Sequence, residues 1–184
     1  MQRVLVIGSG GSGKSSLARE LGRKLALPVV HLDAVYWRAG WQAMETDEWA
    51  RAVRDLSSAP AWVMDGNYGG TMELRLARCD TVIFLDLPRV QCLWRILRRW
   101  IRYRGRTRPD LAPGCPEQMS WEFIAWVWSY PATRRPGVLR RLTEMQSGQR
   151  TVILSTSDAV RRFLAGVSAD LSPHASPQLR AGAS

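Results

Sequence analysis

The sequence predicts an α/β fold built around a parallel β-sheet, and two observations lead to this prediction. Short apolar runs rich in β-branched residues alternate along the chain with segments of helical apolar spacing. The first two runs enclose one such segment, which gives a β-α-β unit whose crossover we expect to be right-handed. Because 184 residues can bury one substantial core, we expect a single domain over residues 1–167.

Five apolar runs are the predicted strands: residues 3–7, 29–32, 61–64, 81–85 and 151–154. Three of these runs end at an aspartate, namely Asp33, Asp65 and Asp86. Ligands bind at the carboxyl edge of an open α/β sheet, so Asp33 and Asp65 are expected to converge there. Asp86 is expected to order the turn before Pro88.

The predicted helices are residues 14–26, 46–56, 88–101, 117–129, 138–145 and 158–165. Pro131 and Pro136 are expected to break the chain after the fourth helix. Residues 105–116 combine glycine, proline and charged side chains and are predicted to form a loop. Residues 168–184 are rich in Ser, Pro and Ala and are predicted to be a disordered tail.

The composition excludes several classes of protein. No apolar run approaches the roughly 18 residues that a membrane-spanning helix requires, and a first strand starting at Arg3 leaves no room for a signal peptide. Cys79, Cys92 and Cys115 have neither C-x-x-C spacing nor paired histidines, which argues against a disulfide framework and a zinc site. We expect reduced thiols, with Cys115 exposed and the other two in the core, and a cytoplasmic location.

One segment matches the pattern G-x-x-x-x-G-K-[ST], which defines a phosphate-binding P-loop. It follows a predicted strand and opens a predicted helix, and both contexts support the match. The predicted nucleotide-binding residues are Gly8, Ser9, Gly10, Gly11, Ser12, Gly13, Lys14, Ser15 and Ser16. Lys14 is expected to reach the β- and γ-phosphates of ATP or GTP, and the Ser15 hydroxyl to bind Mg²⁺.

Asp33 and Asp65 are candidates for the chemistry around these phosphates. Asp33 could act as a general base toward an acceptor hydroxyl or as an outer-shell magnesium ligand, and the alternative is a helix cap or turn residue. Asp65 follows an apolar strand, as a Walker B aspartate does, and could hold Mg²⁺ through water. The alternative for Asp65 is a turn formed with Gly66.

The formal net charge is +10, and much of it is concentrated in residues 89–108, which contain eight arginines and no acid. The planar guanidinium group suits phosphate oxygens, so this segment is expected to bind anions. Arg95 and Arg99 are four residues apart on the predicted helix and are expected to point the same way. The alternatives are a solvated helix face and a surface for nucleic acid.

Aromatic residues follow Asp33 closely in the sequence. Tyr36, Trp37 and Trp41 are expected to shape an acceptor pocket, and Arg75 is a weaker candidate for holding the acceptor. Three further tryptophans are expected to pack in the core, with a stacking platform for bases as the alternative; they are Trp121, Trp126 and Trp128.

The chain resembles the adenylate-kinase-related P-loop group, and more closely the DNA topology modulation (FlaR-related) proteins. The resemblance covers about residues 3–165 and rests on five motifs, at residues 6–15, 31–37, 65–68, 84–88 and 103–109. It implies a five-stranded parallel sheet with helices on both faces and a mobile, arginine-bearing lid at about residues 89–130. By this resemblance, Arg95 and Arg99 match lid-helix arginines that contact the transferring phosphate.

The chain also departs from adenylate kinases. They continue the Asp-Gly after the third strand with Phe-Pro-Arg, whereas this chain has Asn67-Tyr68-Gly69, so the acceptor need not be AMP. The predicted function is a Mg²⁺-dependent transfer of the γ-phosphate of ATP to a small acceptor, which could be a nucleotide or nucleoside. The alternatives are a nucleotide-dependent DNA-binding regulator and a simple NTPase.

Overall fold

The computed structural model describes residues 1–167, and the predicted tail at residues 168–184 lies outside the described residues. The strands are β1 (Arg3–Gly8), β2 (Val29–His31), β3 (Trp37–Arg38), β4 (Gln42–Ala43), β5 (Trp62–Asp65), β6 (Thr81–Leu85) and β7 (Arg150–Leu154). The helices are α1 (Lys14–Leu25), α2 (Leu32–Tyr36), α3 (Thr46–Ser58), α4 (Met72–Leu76), α5 (Arg89–Tyr103), α6 (Trp121–Thr133), α7 (Arg135–Thr143) and α8 (Ser157–Gly166).

The main sheet has five parallel strands in the order β2-β5-β1-β6-β7, which confirms the predicted fold class. The strand that leads into the P-loop is therefore central. Strands β2 and β5 lie on one side of it, and β6 and β7 lie on the other. A separate antiparallel pair, β3 and β4, forms a short hairpin after α2.

Helices cover both faces of the sheet, because alternate residues of each strand point to opposite faces. Leu5 and Ile7 of β1 pack in one core cluster, to which α3, α4 and α7 contribute side chains. Val4 and Val6 pack in the other, which is filled from α1 and α8. A third cluster joins α5 to α6 and lies beside the P-loop. Within residues 1–167, no helix combines the length and apolar character needed to cross a bilayer.

The structure corrects two expectations about local structure. Helix α6 continues through Pro131 and ends at Thr133, so Pro131 does not break the chain. A proline near the end of a helix removes one N–H donor, and the packing of Val127 and Tyr130 of the same helix in the core outweighs that loss. Cys115 is buried, and its thiol donates to the carbonyl oxygen of Arg38 at 3.1 Å, so it is not exposed.

Candidate active site

A cavity of about 1180 Å³ opens at the carboxyl edge of the main sheet. Its lining comes from the P-loop, from the segments that follow β2 and β5, from α5 and α6, from the loop at residues 104–120, and from the start of α8. The sequence-predicted residues that line it are Gly10, Gly11, Ser12, Gly13, Lys14, Ser15, Ser16, Asp33, Trp37, Trp41, Arg95 and Arg99. Residues as far apart in the sequence as Gly10 and Arg99 thus share one site.

The P-loop has the backbone that its glycines allow. Gly11 and Gly13 have φ of +73° and +96°, a region that side chains rarely adopt. The Lys14 amine lies across the loop and donates to the carbonyls of Gly8 at 3.0 Å and Ser9 at 2.9 Å. Burial lowers the pKa of Lys14, and the negative charges of Asp33 and Asp65 act against that shift. Both carboxylates are therefore close to the lysine in space.

Asn67 is a site residue that the sequence analysis did not single out. Its side-chain oxygen accepts from the Gly8 N–H at 3.1 Å, and its amide group donates to the Gly8 carbonyl at 2.8 Å. This pair of hydrogen bonds ties the end of β5 to the first residue of the P-loop. The departure from the adenylate kinase pattern at positions 67–69 was the signal that could have identified it.

Asp33 and Tyr68 meet at the cavity wall. The Tyr68 hydroxyl donates to the Asp33 carboxylate at 2.7 Å. Burial, followed by the charge of Asp33, raises the pKa of Tyr68, so the hydroxyl keeps its proton and acts as a donor. Asp33 lies in α2 rather than at a strand end, and it lines the same cavity as Lys14. Its predicted role as a base or an outer-shell metal ligand stays a prediction.

Asp65 is buried and paired with His31, whose Nδ1 lies 2.6 Å from the Asp65 carboxylate. Burial acts to lower the pKa of His31, but the hydrogen bond and charge of Asp65 outweigh it and the pKa is raised. Asp65 is not among the residues that line the cavity. Its predicted role in holding Mg²⁺ through water stays a prediction.

The side-chain oxygen atoms that line the cavity are of the types that bind Mg²⁺. Ser15, Asp33 and Asp110 supply a hydroxyl and two carboxylates, the hard ligands that Mg²⁺ prefers, and phosphates complete such sites. Among residues 1–167, no three His, Cys, Asp or Glu side chains cluster as a self-sufficient metal site. A P-loop site does not require such a cluster, because its ion is held between one hydroxyl and the phosphates of the nucleotide.

Asp110 is a second residue that the sequence analysis missed, although it directly follows the motif at residues 103–109. It is buried in the loop at residues 104–120. Burial acts to raise the pKa of its carboxyl, but the charge of Arg108 and the nearby Ser15 hydroxyl lower the pKa by more than burial raises it, so the group is a carboxylate. A negative charge thus lies beside the hydroxyl predicted to bind the metal.

The two predicted lid arginines have different partners. Arg95 donates to the Ser12 carbonyl and to the Ser157 hydroxyl, both at 2.8 Å, and so lies directly on the P-loop. Arg99 donates to the buried carboxylate of Glu117 at 2.8 Å, and Arg108 contacts the same carboxylate at 2.9 Å. Two of the arginines in residues 89–108 are therefore paired with an acid of the following loop, a relationship that their sequence composition did not reveal.

Arg75 does not face the cavity, which corrects its prediction as a substrate-binding residue. Its side chain is fully buried, and its guanidinium donates to backbone carbonyls of the segment after β5. The acceptors are Gly66 at 2.8 Å, Asn67 at 2.6 Å, Tyr68 at 2.8 Å and Thr71 at 3.3 Å. Arg75 thus fixes the shape of the loop that presents Asn67 and Tyr68.

The aromatic residues also separate into different roles. Trp37 and Trp41 line the cavity, as expected, whereas Tyr36 lies behind them and packs against Trp49 and Tyr68 with ring centroids 5.0 and 4.8 Å apart. The packing expectation for three later tryptophans is wrong for two of them. Trp126 packs against both the apolar core and the cluster of α5 and α6, but Trp121 is 82% exposed and Trp128 is 49% exposed.

Comparisons with known proteins identify the fold. No protein-family profile matches the chain, and no curated protein matches it in sequence. Among solved structures, a shikimate kinase from Acinetobacter baumannii in complex with shikimate superposes with a TM-score of 0.53 at 16% identity, over 90% of this chain and 89% of that chain. A shikimate kinase from Bacteroides thetaiotaomicron gives 0.52 at 18% identity, over 89% and 97%. The chain therefore has the P-loop kinase fold of shikimate kinases, while the finer resemblance to DNA topology modulation proteins stays a prediction.

Proposed function

We propose that this chain is a kinase that binds ATP or GTP with Mg²⁺ and transfers the γ-phosphate to a hydroxyl of a small acceptor. The observation that carries the proposal is that Lys14, Ser15 and Asp33 line one cavity together with Arg95 and Arg99 of α5. A phosphate clamp, a metal-binding hydroxyl and a carboxylate near the acceptor are the parts that phosphoryl transfer uses. The similarity in fold to shikimate kinases supports the same reading.

From the order of the strands we infer which end of the nucleotide lies on which side of the central strand. The P-loop follows the central strand, and Asp33 and Tyr68 follow strands on one side of it, whereas α8 follows β7 on the other. Asp33, the proposed base, lines the cavity after β2, so we place the γ-phosphate end on the side of β2 and β5. The nucleoside of the donor then lies toward α8, where Val160 and Leu164 line the cavity.

The roles of the side chains follow from this arrangement. The oxygen of the acceptor hydroxyl attacks the γ-phosphorus and forms a new P–O bond. The bond between the γ-phosphorus and the oxygen that bridges it to the β-phosphate breaks, and the proton of the acceptor hydroxyl passes to the Asp33 carboxylate. Lys14, Arg95 and Arg99 stabilise the charge that spreads over the phosphoryl oxygens. The Ser15 hydroxyl would hold the metal ion, with Asp33, Asp65 and Asp110 as the nearby carboxylates. When bound, the ion would supply neutralisation of the phosphate charge.

The loop at residues 104–120 covers the acceptor side of the cavity and limits the access of water. It docks on the hairpin of β3 and β4, where the N–H of Gly40 donates to the Gly114 carbonyl at 2.9 Å. The indole N–H of Trp41 donates to the Pro116 carbonyl at 3.1 Å. Excluding water from a kinase site suppresses hydrolysis of the nucleotide.

We place the activity in the cytoplasm, where thiols such as the unpaired Cys79, Cys92 and Cys115 remain reduced.

The test is a screen of nucleosides, nucleotides and sugars for acceptor-stimulated turnover of ATP and GTP in the presence of Mg²⁺. Lys14→Ala should abolish the stimulation, because it removes the ammonium group that clamps the phosphates. Lys24→Ala is the matched control: Lys24 lies on the same helix but donates to the Val167 carbonyl, away from the P-loop. If no acceptor stimulates turnover, the kinase proposal fails and a simple NTPase or a binding role remains.

A nucleic-acid-binding function is the second candidate, favoured by the outward face of α5. Trp94 on that face is 58% exposed, Ile101 is 65% exposed, and Arg98 is exposed between them. Arginines and aromatic rings together bind phosphate backbones and bases. Binding to DNA with a steep salt dependence that survives Lys14→Ala and is lost in Arg98→Ala would favour this candidate over the kinase.

A further inference from the structure

The aromatic wall beside Asp33 points to the class of acceptor. We propose that the acceptor is an uncharged ring compound with a free hydroxyl, such as a nucleoside or a sugar, and that phosphorylated or carboxylated acceptors are rejected. The inference rests on the proposed function and concerns the same cavity. Four cavity-lining side chains on the side of β2 and β5 carry it, and we call them the acceptor wall: Asp33, Trp37, Trp41 and Tyr68.

The acceptor wall is built from aromatic rings that support one another. Trp37 and Trp41 meet edge to face with ring centroids 5.4 Å apart, and Trp37 also contacts Tyr36 at 4.9 Å. Tyr68 is held by Tyr36 and Trp49 from behind. Rings fixed in this way present flat apolar faces, which suit the faces of a nucleobase or the C–H face of a sugar.

The backbone beneath the acceptor wall is strained. Trp41 has φ of +61° and Tyr68 has φ of +32°, and bulky residues rarely adopt this left-handed region. Among residues 1–167, Ala26 is the remaining non-glycine residue with positive φ. Backbone strain of this kind persists only where the surrounding structure enforces the conformation, and it is frequent at sites that bind ligands. Two of these strained positions therefore coincide with the wall.

The charges near the acceptor wall disfavour an anionic acceptor. Asp33 and Asp110 are carboxyl groups that line the cavity. Carboxylates repel a further negative charge, and the repulsion is strongest where water is excluded. The Lys14 ammonium also lines the cavity, but it is required by the phosphates of the donor.

The buried arginines that could hold an anionic acceptor already have partners. Arg75 is occupied by four backbone carbonyls. Arg99 and Arg108 share the carboxylate of Glu117. Arg95 lines the cavity and is half-buried, but it donates to the Ser12 carbonyl and to Ser157 at the start of α8, on the side assigned to the donor nucleotide. Arg19, Arg102 and Arg161 also line the cavity, but all three are exposed, so solvent screens their charge. An acceptor phosphate or carboxylate would therefore lose its hydration without gaining a buried cation.

The experiment compares acceptors that differ by one anionic group: adenosine with AMP, thymidine with thymidine monophosphate, glucose with glucose 6-phosphate, and methyl shikimate with shikimate. Calorimetry in the presence of Mg²⁺ and a non-hydrolysable ATP analogue measures binding, and acceptor-stimulated ATP turnover measures kcat/KM. We expect at least one neutral member to exceed its anionic partner by about tenfold or more in both measurements, since burying an unpaired charge costs more than 1.4 kcal/mol. The pairs also distinguish nucleosides from sugars.

Variants of the acceptor wall connect this preference to the structure. Trp37→Leu and Trp41→Leu should each weaken binding of the preferred acceptor by about tenfold, because stacking on one aromatic ring contributes about 1 to 3 kcal/mol. Their affinity for the ATP analogue should stay within about twofold of the unsubstituted chain, since the P-loop is intact. Trp128→Leu is the matched control: its half-exposed ring lies against Arg89 on the outer side of α6.

The outcomes separate the two proposals. If an anionic member of a pair binds or stimulates as well as its neutral partner or better, the inference about the acceptor is overturned while the kinase function stands. Loss of ATP-analogue binding along with acceptor binding in Trp37→Leu and Trp41→Leu also overturns it. If the ATP analogue binds but none of the eight compounds binds or stimulates turnover, both proposals fail.

Discussion

The Arg99 Nε donates to the Glu117 carboxylate at 2.8 Å, and the same carboxylate, which is 3% exposed, also contacts Arg108. The contact joins the arginine-bearing helix α5 to the loop that covers the cavity. The pKa of Arg99 is lowered because its burial and the charge of Arg108 outweigh the charge of Glu117. One buried carboxylate thus holds two guanidinium groups that would otherwise repel each other.

Glu117→Gln should destabilise the folded chain by about 3 kcal/mol, because it leaves buried guanidinium groups without a counter-charge. Urea denaturation followed by circular dichroism measures the effect. The matched control is Glu48→Gln, which removes an ion pair with Arg38 in which both side chains are about half exposed. That change should cost no more than about 1 kcal/mol. Equal losses in the two variants would show that the buried carboxylate is not a structural link.

Arg75→Met should destabilise the fold by about 3 to 5 kcal/mol, since it leaves the backbone carbonyls of residues 66–68 without their donors. Arg75→Lys should recover only a small part of the loss, because an ammonium group lacks the planar fork. The exposed Arg78 is the control, and Arg78→Met should change the free energy of unfolding by less than about 0.5 kcal/mol. If Arg75→Met instead keeps full stability and raises KM for the acceptor, Arg75 binds substrate after all.

Tyr68→Phe should reduce kcat by about tenfold, because Asp33 loses the hydroxyl that orients it and an oriented base contributes up to 10² to 10⁴ in rate. Asp33→Asn should reduce kcat by at least about 10², since it removes the base itself. The affinity for ATP, measured by calorimetry, should stay unchanged in both variants. A loss in ATP affinity without any change in kcat would place both residues at the donor instead.

Asp80→Asn should reduce stability at pH 7 by about 1 to 2 kcal/mol, because a charged acceptor is lost. The Asp80 carboxylate accepts from the N–H groups of Gln2 and Arg3, both at 2.7 Å. Burial acts to raise its pKa, but these bonds and that of Thr81 lower it below the ordinary value of 3.8. A lowered pKa in the folded state means that the stabilisation is complete above pH 3.8 and is lost as the pH falls toward the folded-state pKa.

Urea denaturation of the unsubstituted protein and of Asp80→Asn, at a series of pH values between 7 and 3, tests the Asp80 prediction. The difference in the free energy of unfolding should stay constant down to about pH 4.5 and narrow below it. Taking the difference between the two chains cancels the contributions of the other carboxyl groups. A difference that grows as the pH falls would contradict the sign of the shift.

The sequence predicted the parallel sheet well because each strand carries its own signal. A run such as residues 81–85 is apolar after its first residue and buried along its whole length, as a strand covered on both faces requires. Element boundaries were less predictable where tertiary contacts compete with local preference. Pro131 lies inside α6 because that helix packs against α5, and Cys115 is buried because its loop docks on the hairpin after α2.

The candidate site likewise contains residues that local sequence predicts and residues whose roles depend on tertiary contacts. The P-loop could be predicted because its eight residues are contiguous and its chemistry depends on local backbone shape. Glu117, Asp110 and Asn67 gave no comparable signal, since each acts through a partner distant in the sequence. Arg75 was misjudged for the same reason: its type suggested anion binding, and only burial among carbonyls revealed its structural role.

The amino-acid sequence by itself determined the alternation of strands and helices, the phosphate-binding loop and the concentration of arginine in α5, because these depend on neighbouring residues and on short-range periodicity. Only the tertiary structure decided which arginines are neutralised, which aromatic rings line the cavity and which carboxylates face Lys14. Those properties depend on distances between side chains that are far apart in the chain, and burial sets the strength of each charge that is brought there.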